Sequence, residues 1–236
     1  MNSFTVALLD HQLQARPSGA LWWPARRTLI VADLHLGKPA RIARRSGATL
    51  PPYADAETLD RLEREVVTTG ARCVVSLGDG FDDDRAALDL PADTRAVLER
   101  IMAGRDWIWI RGNHDPAPPP FGGDSAFSLE IAGLTLRHIA DPSATGEISA
   151  HYHPKARLSL RGTSLSRPAF LVDRARVILP AFGAYTGGLD CCDPALTGLM
   201  AQDAIAILTG KKAMPVPMPR DAPAAQLTPA PPRRFG

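Results

Sequence analysis

Three apolar runs of the sequence each end at residues whose side chains could bind metal ions or move protons. These residues are, in chain order, Asp33 and His35, then Asp79, then Asn113 and His114. Short apolar runs between turn residues predict buried strands of a parallel sheet. In open sheets of this kind, ligands bind at the edge where the strands end. We therefore expect carboxylate, amide and imidazole groups to meet at one edge of a sheet.

Three further histidines lie later in the chain, and two of them are separated by a single residue. His151 and His153 flank a tyrosine, and alternation along a strand would place both imidazoles on one face. The same alternation would place Asp33 and His35 on one face. His138 precedes the later pair and adds another nitrogen donor. Oxygen and nitrogen donors are thus concentrated in a few short segments.

A pair of divalent metal ions needs about six to eight donor atoms and one carboxylate that bridges the ions. The sequence offers a set with that mixture: Asp33, His35, Asp79, Asn113, His138, His151 and His153. The set contains no thiolate, which favours Mn, Fe or Zn in a catalytic site over a structural zinc site with cysteine ligands. Residue type and spacing therefore predict a centre with two divalent ions.

The composition excludes several classes of protein. With 236 residues, of which 45% are hydrophobic and 22% charged, the chain can bury a large core, and disorder throughout is excluded. The formal net charge of +2 neither requires nor excludes a nucleic-acid partner. Three cysteines without a Cys-x-x-Cys pair indicate reduced thiols. No run approaches the ~20 apolar residues of a membrane span, and the first ten residues do not resemble a secretory signal, so we expect a cytoplasmic location.

The order of the sequence patterns predicts the architecture. Apolar residues at helical spacing over residues 54–69, with Asp55 as N-cap and Gly70 as the stop, and again over residues 91–104, place helices between the apolar strands. This order indicates two β-α-β units. Beyond residues 118–120 the apolar runs are short and their connections are tight. This predicts additional strands that pair antiparallel.

The last part of the chain has a different composition. From Ala213 onward, seven of the 22 prolines occur with little apolar periodicity. We therefore predict a folded domain over residues 1–212 and a disordered or polyproline-like tail over residues 213–236.

Two segments near the predicted site allow two interpretations each. Four basic residues follow the first motif: Lys38, Arg41, Arg44 and Arg45. They form either a solvated helix face or a strip that contacts substrate phosphates. The glycine-rich segment 182–188 is either a turn-rich connection or part of the substrate groove.

Five motifs, taken together and in this order, resemble the signature of the calcineurin-like metallophosphoesterases. They are Asp33-x-His35, Gly78-Asp79, Gly112-Asn113-His114-Asp115, His138 and His151-x-His153. More narrowly, residues 33–38, 50–53 and 180–189 resemble the bacterial ligase-associated DNA damage response endonucleases, the PdeM branch. The resemblance implies an α/β (α+β) fold, in which a two-layer β-sandwich is flanked by helices. It also implies phosphodiester hydrolysis at a dimetal centre, within a DNA-repair system that includes a ligase, an exonuclease and a helicase.

The resemblance further implies roles for single residues. One ion would be bound by Asp33, His35, Asp79 and His153, and the other by Asp79, Asn113, His138 and His151. Asp79 would bridge the ions, for which Mn²⁺ is expected and Fe or Zn are alternatives. Asn113 would also touch the substrate phosphate, and His114 would donate a proton to the leaving oxygen or stabilise the transition state. Asp115 would orient the His114 ring.

Two positions depart from the pattern of these relatives, and neither is a predicted metal ligand. Ala150 stands where the family has glycine, which matters if the backbone there needs a positive φ. Asp82 stands where the narrower branch has histidine, which would change the charge of the cleft.

Three functions remain open at this point. The first is a phosphodiesterase that cleaves DNA, the second is a hydrolase of small phosphoesters such as nucleotides, and the third is a non-catalytic scaffold. The complete donor set and His114 favour catalysis over a scaffold. A basic strip near the cleft favours DNA, because a small ester would not reach it.

Overall fold

Two mixed β-sheets form the frame of the computed structural model, which describes residues 2–46, 53–160 and 163–220. The strands of the first sheet lie side by side in chain order: β1 (Phe4–Leu8), β2 (His11–Ala15), β3 (Leu21–Trp23), β4 (Thr28–Val31), β5 (Cys73–Leu77), β6 (Asp106–Ile110) and β7 (Asp124–Ala126). Strands β1 to β4 are antiparallel, whereas β4 to β7 are parallel. The three predicted apolar strands are β4, β5 and β6.

Helices connect the parallel strands, as the two predicted β-α-β units require. They are α1 (Lys38–Ser46), α2 (Ala54–Thr69), α3 (Asp84–Leu88) and α4 (Ala92–Met102). As predicted, α2 stops at Gly70, whose φ of 62° lets its N–H reach Val66 O at 3.0 Å. Asp55 does not cap α2, because it lies inside the helix and its carboxylate accepts the Gly37 N–H at 3.2 Å. Within the described residues, no helix is long and apolar enough to cross a membrane.

The second sheet contains the later strands. Its spatial order is β15 (Met214–Pro217), β14 (Ile205–Leu208), β12 (Thr163–Val172), β13 (Arg176–Ile178), β10 (Glu147–Ser149), β9 (Leu134–Arg137) and β8 (Ser128–Ile131), with β11 (Lys155–Leu160) paired to β12. Antiparallel pairing was predicted, but β10 runs parallel to both β9 and β13. The chain reaches β10 through the loop 138–146, and the β11–β12 hairpin separates β10 from β13. Both connections are long enough for a crossover, which parallel pairing requires.

Three apolar clusters hold the layers together. The central cluster lies between the two sheets and includes Trp23, Ile30 and Phe170. A second cluster packs α2 and α4 against the outer face of the first sheet, and it contains Trp107 and Trp109. A third covers the outer face of the second sheet beneath α5 (Pro194–Thr197). The fold is therefore the predicted two-layer β-sandwich flanked by helices.

The predicted start of the tail is too early. β15 pairs antiparallel with β14, the Ala213 N–H donates to Asn2 O at 2.8 Å, and Met218 is buried. The prolines of β15 are tolerated because it is an edge strand, where a missing N–H can face solvent. The rest of the predicted tail, residues 221–236, lies outside the described residues.

Candidate metal centre

The candidate ligands lie in loops that follow strands of both sheets. They are, in chain order, Asp33 and His35 after β4, Asp79 after β5, Asn113 after β6, His138 after β9, and His151 and His153 after β10. Because β4, β5 and β6 are parallel neighbours, their loops meet at one edge of the first sheet. Backbone hydrogen bonds join these loops: the His35 N–H donates to Asp79 O at 2.9 Å.

Alternation along a strand does not explain how the side chains converge. Asp33, His35, Asp79, His151 and His153 lie beyond their strands, with φ angles of 52°, 48°, 46°, 73° and 47° respectively. Left-handed conformations are rare for residues other than glycine and cost about 1–3 kcal/mol each. The predicted pairs do meet, but turns of the backbone bring them together rather than the pleat of a strand. Strained residues clustered in one place are typical of functional sites.

Asp33, His35 and His153 form one group of converging donors. Each offers one ligand atom, and these atoms lie within 4.8 Å of one another. His153 Nε2 lies 3.3 Å from Asp33 Oδ1 and 3.4 Å from His35 Nε2. Asp33 Oδ1 is buried and accepts no hydrogen bond from the part of the chain that the structure describes. A cation at this position would compensate for the hydration that the oxygen has lost.

A second group contains Asp79, His138 and His151, again with ligand atoms within 4.8 Å of one another. His138 Nε2 lies 3.4 Å from Asp79 Oδ2 and 3.2 Å from His151 Nδ1. Asn113 Oδ1 lies 3.0 Å from the same His138 nitrogen. On the other side of the ring, His138 Nδ1 donates to Leu77 O at 2.7 Å, which leaves a lone pair on Nε2 in the neutral ring. Several lone pairs therefore converge on one position.

Asp79 is a member of the second group, and its carboxylate also faces the first group. Its Oδ2 is 3.4 Å from His138 Nε2 in the second group and 4.0 Å from His35 Nε2 in the first. Its Oδ1 accepts the His114 N–H at 2.9 Å, so the position of the carboxylate is fixed. Together with the buried Oδ1 of Asp33, this arrangement of oxygen and imidazole donors fits two divalent ions that share one carboxylate.

The charges of the cluster shift the pKa values of its members. Burial opposes ionisation of Asp79, but the hydrogen bond and charge of His138 dominate and lower the pKa of Asp79 to about 2. Burial also opposes protonation of His138, but Asp79 and Asp33 outweigh it and raise the pKa of His138. Burial and the charge of His138 lower the pKa of His151. An ion would bind the neutral ring of His138, because metal ligands bind in deprotonated form.

Two glycines of the predicted motifs let the ligand loops approach closely. A Cβ at Gly112 would lie 2.1 Å from Asp79 Oδ1, and a Cβ at Gly78 would lie 2.4 Å from His138 Nδ1. Ala150 is buried where the family has glycine, and its φ is not in the left-handed region. Its N–H donates to His138 O at 2.9 Å. This backbone therefore does not require glycine.

Asp82 positions a candidate ligand, a role that the sequence interpretation missed. Its buried carboxylate lies 2.9 Å from His35 Nδ1, which leaves Nε2 of that ring directed at the other donors. Arg41 Nε donates to the second oxygen of Asp82. Burial opposes ionisation of Asp82, but these bonds from His35 and Arg41 lower its pKa. A carboxylate in this position fixes the tautomer and orientation of a ligand histidine.

Within the basic strip after the first motif, Arg41 fits neither of the two interpretations. The Arg41 guanidinium binds Asp82 and its side chain is only 18% exposed, so it does not stand at the cleft rim to contact phosphate. Hydrogen bonds between two charged groups are stronger than those between neutral groups. Lys38 is half-buried at the start of α1. The side chains of Arg44 and Arg45 lie outside the described residues, and their role stays a prediction.

His114 lies beside both donor groups and belongs to neither. Its Nδ1 contacts Asp82 O at 3.2 Å, and its ring lies edge-on to His35 with centroids 5.3 Å apart. Asp115 does not orient this ring as predicted. Its carboxylate instead accepts three backbone N–H groups at 3.0, 3.0 and 3.1 Å, from Asp79, Phe81 and Gly112 respectively. Asp115 therefore joins the loops after β5 and β6.

A groove of about 890 Å³ lies next to the ligand loops, and we call it the basic groove. Its cationic side chains are Arg61, Arg64, Lys155 and Arg167. Two glutamates also line it, but Arg16 pairs with one of them, Glu65, at 2.7 Å. Among the lining residues that the structure describes, cationic side chains therefore outnumber carboxylates.

The glycine-rich segment 182–188 connects the basic groove to the candidate centre. The Gly183 N–H donates to Asp33 O at 3.0 Å, and a Cβ at Gly183 would lie 2.3 Å from Leu34 O. Residues 183–186 also line the basic groove. The segment thus packs against the loop that carries Asp33 and forms part of the groove wall.

Comparison with known proteins agrees with this geometry. The sequence profile of the calcineurin-like phosphoesterases matches residues 26–159, a span that contains every candidate ligand. Nuclease MPE of Pseudomonas putida has a similar crystal structure, with 27% sequence identity and a TM-score of 0.70. That similarity covers 91% of this chain and 100% of the nuclease chain. Among curated proteins, no sequence matches this chain.

Proposed function

Because the chain belongs to the calcineurin-like phosphoesterase family, we propose that it is a dimetal phosphodiesterase that cleaves DNA as an endonuclease. The observation that carries the proposal is the pair of neighbouring donor groups, in which Asp79 Oδ2 faces both His138 of its own group and His35 of the other. A scaffold that had lost catalysis would have no need for both groups and for the strained loops that carry them. The similarity to a nuclease supports nucleic acid as the substrate.

Each donor group holds one divalent ion in this proposal. Asp33, His35, Asp79 and His153 hold the first ion, and Asp79, Asn113, His138 and His151 hold the second. When bound, the two ions lower the pKa of a water molecule and neutralise charge on the phosphate. Mn²⁺ is the proposed ion, and the same oxygen and imidazole donors also accept Fe or Zn.

The chain's own groups orient the ligands and the substrate. Asp82 holds the ring of His35, and Leu77 O holds the ring of His138, so that each directs Nε2 at the centre. Asn113 is exposed at the same edge, and its amide nitrogen can donate to a phosphate oxygen.

His114 is the proposed proton donor. Its Nδ1–H is occupied by Asp82 O, so Nε2 is the ring nitrogen that remains for the substrate. From the protonated ring, Nε2 passes a proton to the leaving oxygen as the P–O bond breaks. The leaving strand therefore departs as a neutral hydroxyl group.

The basic groove supports a polymeric substrate. Arg64 and Arg167 are exposed in its wall, and cations that contact DNA phosphates release counterions. The groove wall packs against the Asp33 loop, so a strand with one phosphate at the metal centre would continue into the groove. A small phosphoester would not extend that far.

We assign the activity to a DNA-repair system with a ligase, an exonuclease and a helicase. This assignment rests on the resemblance of residues 33–38 and 180–189 to the ligase-associated branch. Loss of the protein should therefore sensitise cells to DNA damage, and a variant at Asp79 should fail to restore resistance.

The substrate class is tested by comparing DNA with bis-p-nitrophenyl phosphate, a small phosphodiester. With Mn²⁺, the protein should cleave single-stranded or duplex DNA as well as the ester, and chelation should stop both reactions. Arg64→Ala with Arg167→Ala should weaken DNA cleavage. The slope of log affinity for DNA against log salt concentration should become shallower by about 1.4–1.8, for two lost phosphate contacts. Ester hydrolysis should not change.

The matched control is Arg95→Ala with Arg174→Ala, which removes the same charge from exposed ion pairs outside the groove. This control should cleave both substrates as the wild type does. Hydrolysis of the ester together with failure to cleave any DNA would show that small phosphoesters are the substrates.

A further inference from the structure

Phe127 lies where the chain passes from the first sheet to the second, between β7 and β8. In the parallel pair β6–β7, Ile110 lies opposite Ala126. The next residues of the two strands, Arg111 and Phe127, therefore reach the same sheet edge. The Arg111 N–H donates to Ala126 O at 2.9 Å, which fixes this register. Asn113, a candidate ligand, lies only two residues beyond Arg111.

Half-buried Arg111 and exposed Phe127 form a pair of cation and aromatic ring. The phenylalanine is 74% exposed, so it contributes little to the core. The guanidinium carbon of Arg111 lies 4.5 Å from the ring centroid. Arg111 Nε also donates to Ser125 Oγ at 3.3 Å, which restrains the guanidinium over the ring. The pair is thus positioned, yet most of the aromatic surface faces solvent.

The same pair lines a cavity of about 420 Å³ that extends to the metal centre. Asn113 and His138 line it on the side of the centre, and Ile139, 47% exposed, adds apolar surface. The volume is within the ~300–1,000 Å³ that is typical of small-molecule sites. Arg137 also lines it but pairs with Asp141 at 3.2 Å.

We propose that Phe127 stacks on the nucleobase next to the scissile phosphate, with Arg111 holding the ring in place. A phosphate at Asn113 and His138 would carry its attached nucleoside into this cavity. Aromatic rings beside cations bind single strands in this way, and every base has a face that can stack. To stack on Phe127, the base must first unstack from the neighbouring base of its strand. The inference rests on the proposed function to the extent that the substrate carries bases.

The test compares small substrates with and without a base. Thymidine 5′-(p-nitrophenyl phosphate) and thymidine 3′-(p-nitrophenyl phosphate) present a base on either side of the phosphorus, and bis-p-nitrophenyl phosphate has none. Phe127→Ala should lower kcat/KM for one thymidine ester by about 5- to 160-fold, the loss expected for one stacked base, chiefly through KM. Hydrolysis of bis-p-nitrophenyl phosphate should not change.

Two substitutions separate stacking from simple apolar contact. Phe127→Trp should retain the preference for the base, whereas Phe127→Leu, which keeps apolar area without a π face, should lose it. Val67→Ala removes another exposed apolar side chain, 70% exposed on α2, and should behave as the wild type. Circular dichroism melting curves should be the same for all these variants.

Three outcomes would overturn the inference. The first is an equal loss of kcat/KM with all three esters in Phe127→Ala. The second is no loss in that variant with any ester or with DNA. The third is an unchanged preference for the thymidine ester in Phe127→Leu. If the thymidine ester responds as expected but no form of the protein cleaves DNA, the stacking role stands and the endonuclease proposal fails.

Discussion

Asp82→Ala should weaken ion binding at the first donor group although Asp82 is not itself a proposed ligand. Removing the carboxylate that holds a ligand histidine lowers metal affinity about 10- to 100-fold, or about 1.4–2.7 kcal/mol. The side chains of His35 and Asp82 are only 5% and 1% exposed and lie 2.9 Å apart. Water cannot readily replace the carboxylate there, so we expect a loss near the upper end of this range.

Calorimetric titration with Mn²⁺ measures the effect directly. In Asp82→Ala, one of two bound ions should bind about 10- to 100-fold more weakly, and ester hydrolysis should recover as Mn²⁺ is raised. Asp89→Ala is the matched control, because it removes a carboxylate from an exposed pair with Arg85. Wild-type affinity for both ions in Asp82→Ala would refute this role of the carboxylate.

Three other changes test separate parts of the structure. His114→Ala should bind both ions, since His114 belongs to neither donor group, and should lose about 10²–10⁴ in rate; loss of a bound ion, measured by metal analysis, would make it a ligand. Arg41→Ala should impair DNA and ester hydrolysis equally, because Arg41 acts through Asp82; a defect confined to DNA would return it to the role of a phosphate contact. Deleting residues 221–236 should leave the melting temperature unchanged. Deleting residues 213–236 should lower it by roughly 4–8 °C, since β15 and the buried Met218 contribute about 2 kcal/mol. Equal melting temperatures for the two deletions would show that β15 contributes nothing.

The sequence predicted the elements that carry the centre because local patterns specify them. Apolar runs ending at Asp33, Asp79 and Asn113 predict parallel strands, and parallel strands bring their ends to one edge. Gly70 marks the end of α2 by the same kind of local rule. These features depend on neighbouring residues only.

Other features depend on contacts between distant segments, which spacing does not encode. Asp82 lies 47 positions from His35 and 41 from Arg41, and no periodicity links them. The sequence does show an acidic residue, Asp82, three positions after Asp79. This indicates a negative charge near the site but does not indicate which side chains bind it. β15 was missed because prolines argue against a strand, and only the edge position makes them acceptable.

Metal stoichiometry and turnover of Asp79→Asn test the central claim most directly. We expect the wild type to bind two Mn²⁺ per chain and to hydrolyse DNA and bis-p-nitrophenyl phosphate. Asp79→Asn should melt cooperatively near the wild-type temperature, bind fewer than two ions at the same Mn²⁺ concentration and lose both activities. Two tightly bound ions with near wild-type turnover in Asp79→Asn would contradict a centre in which this carboxylate bridges the metals.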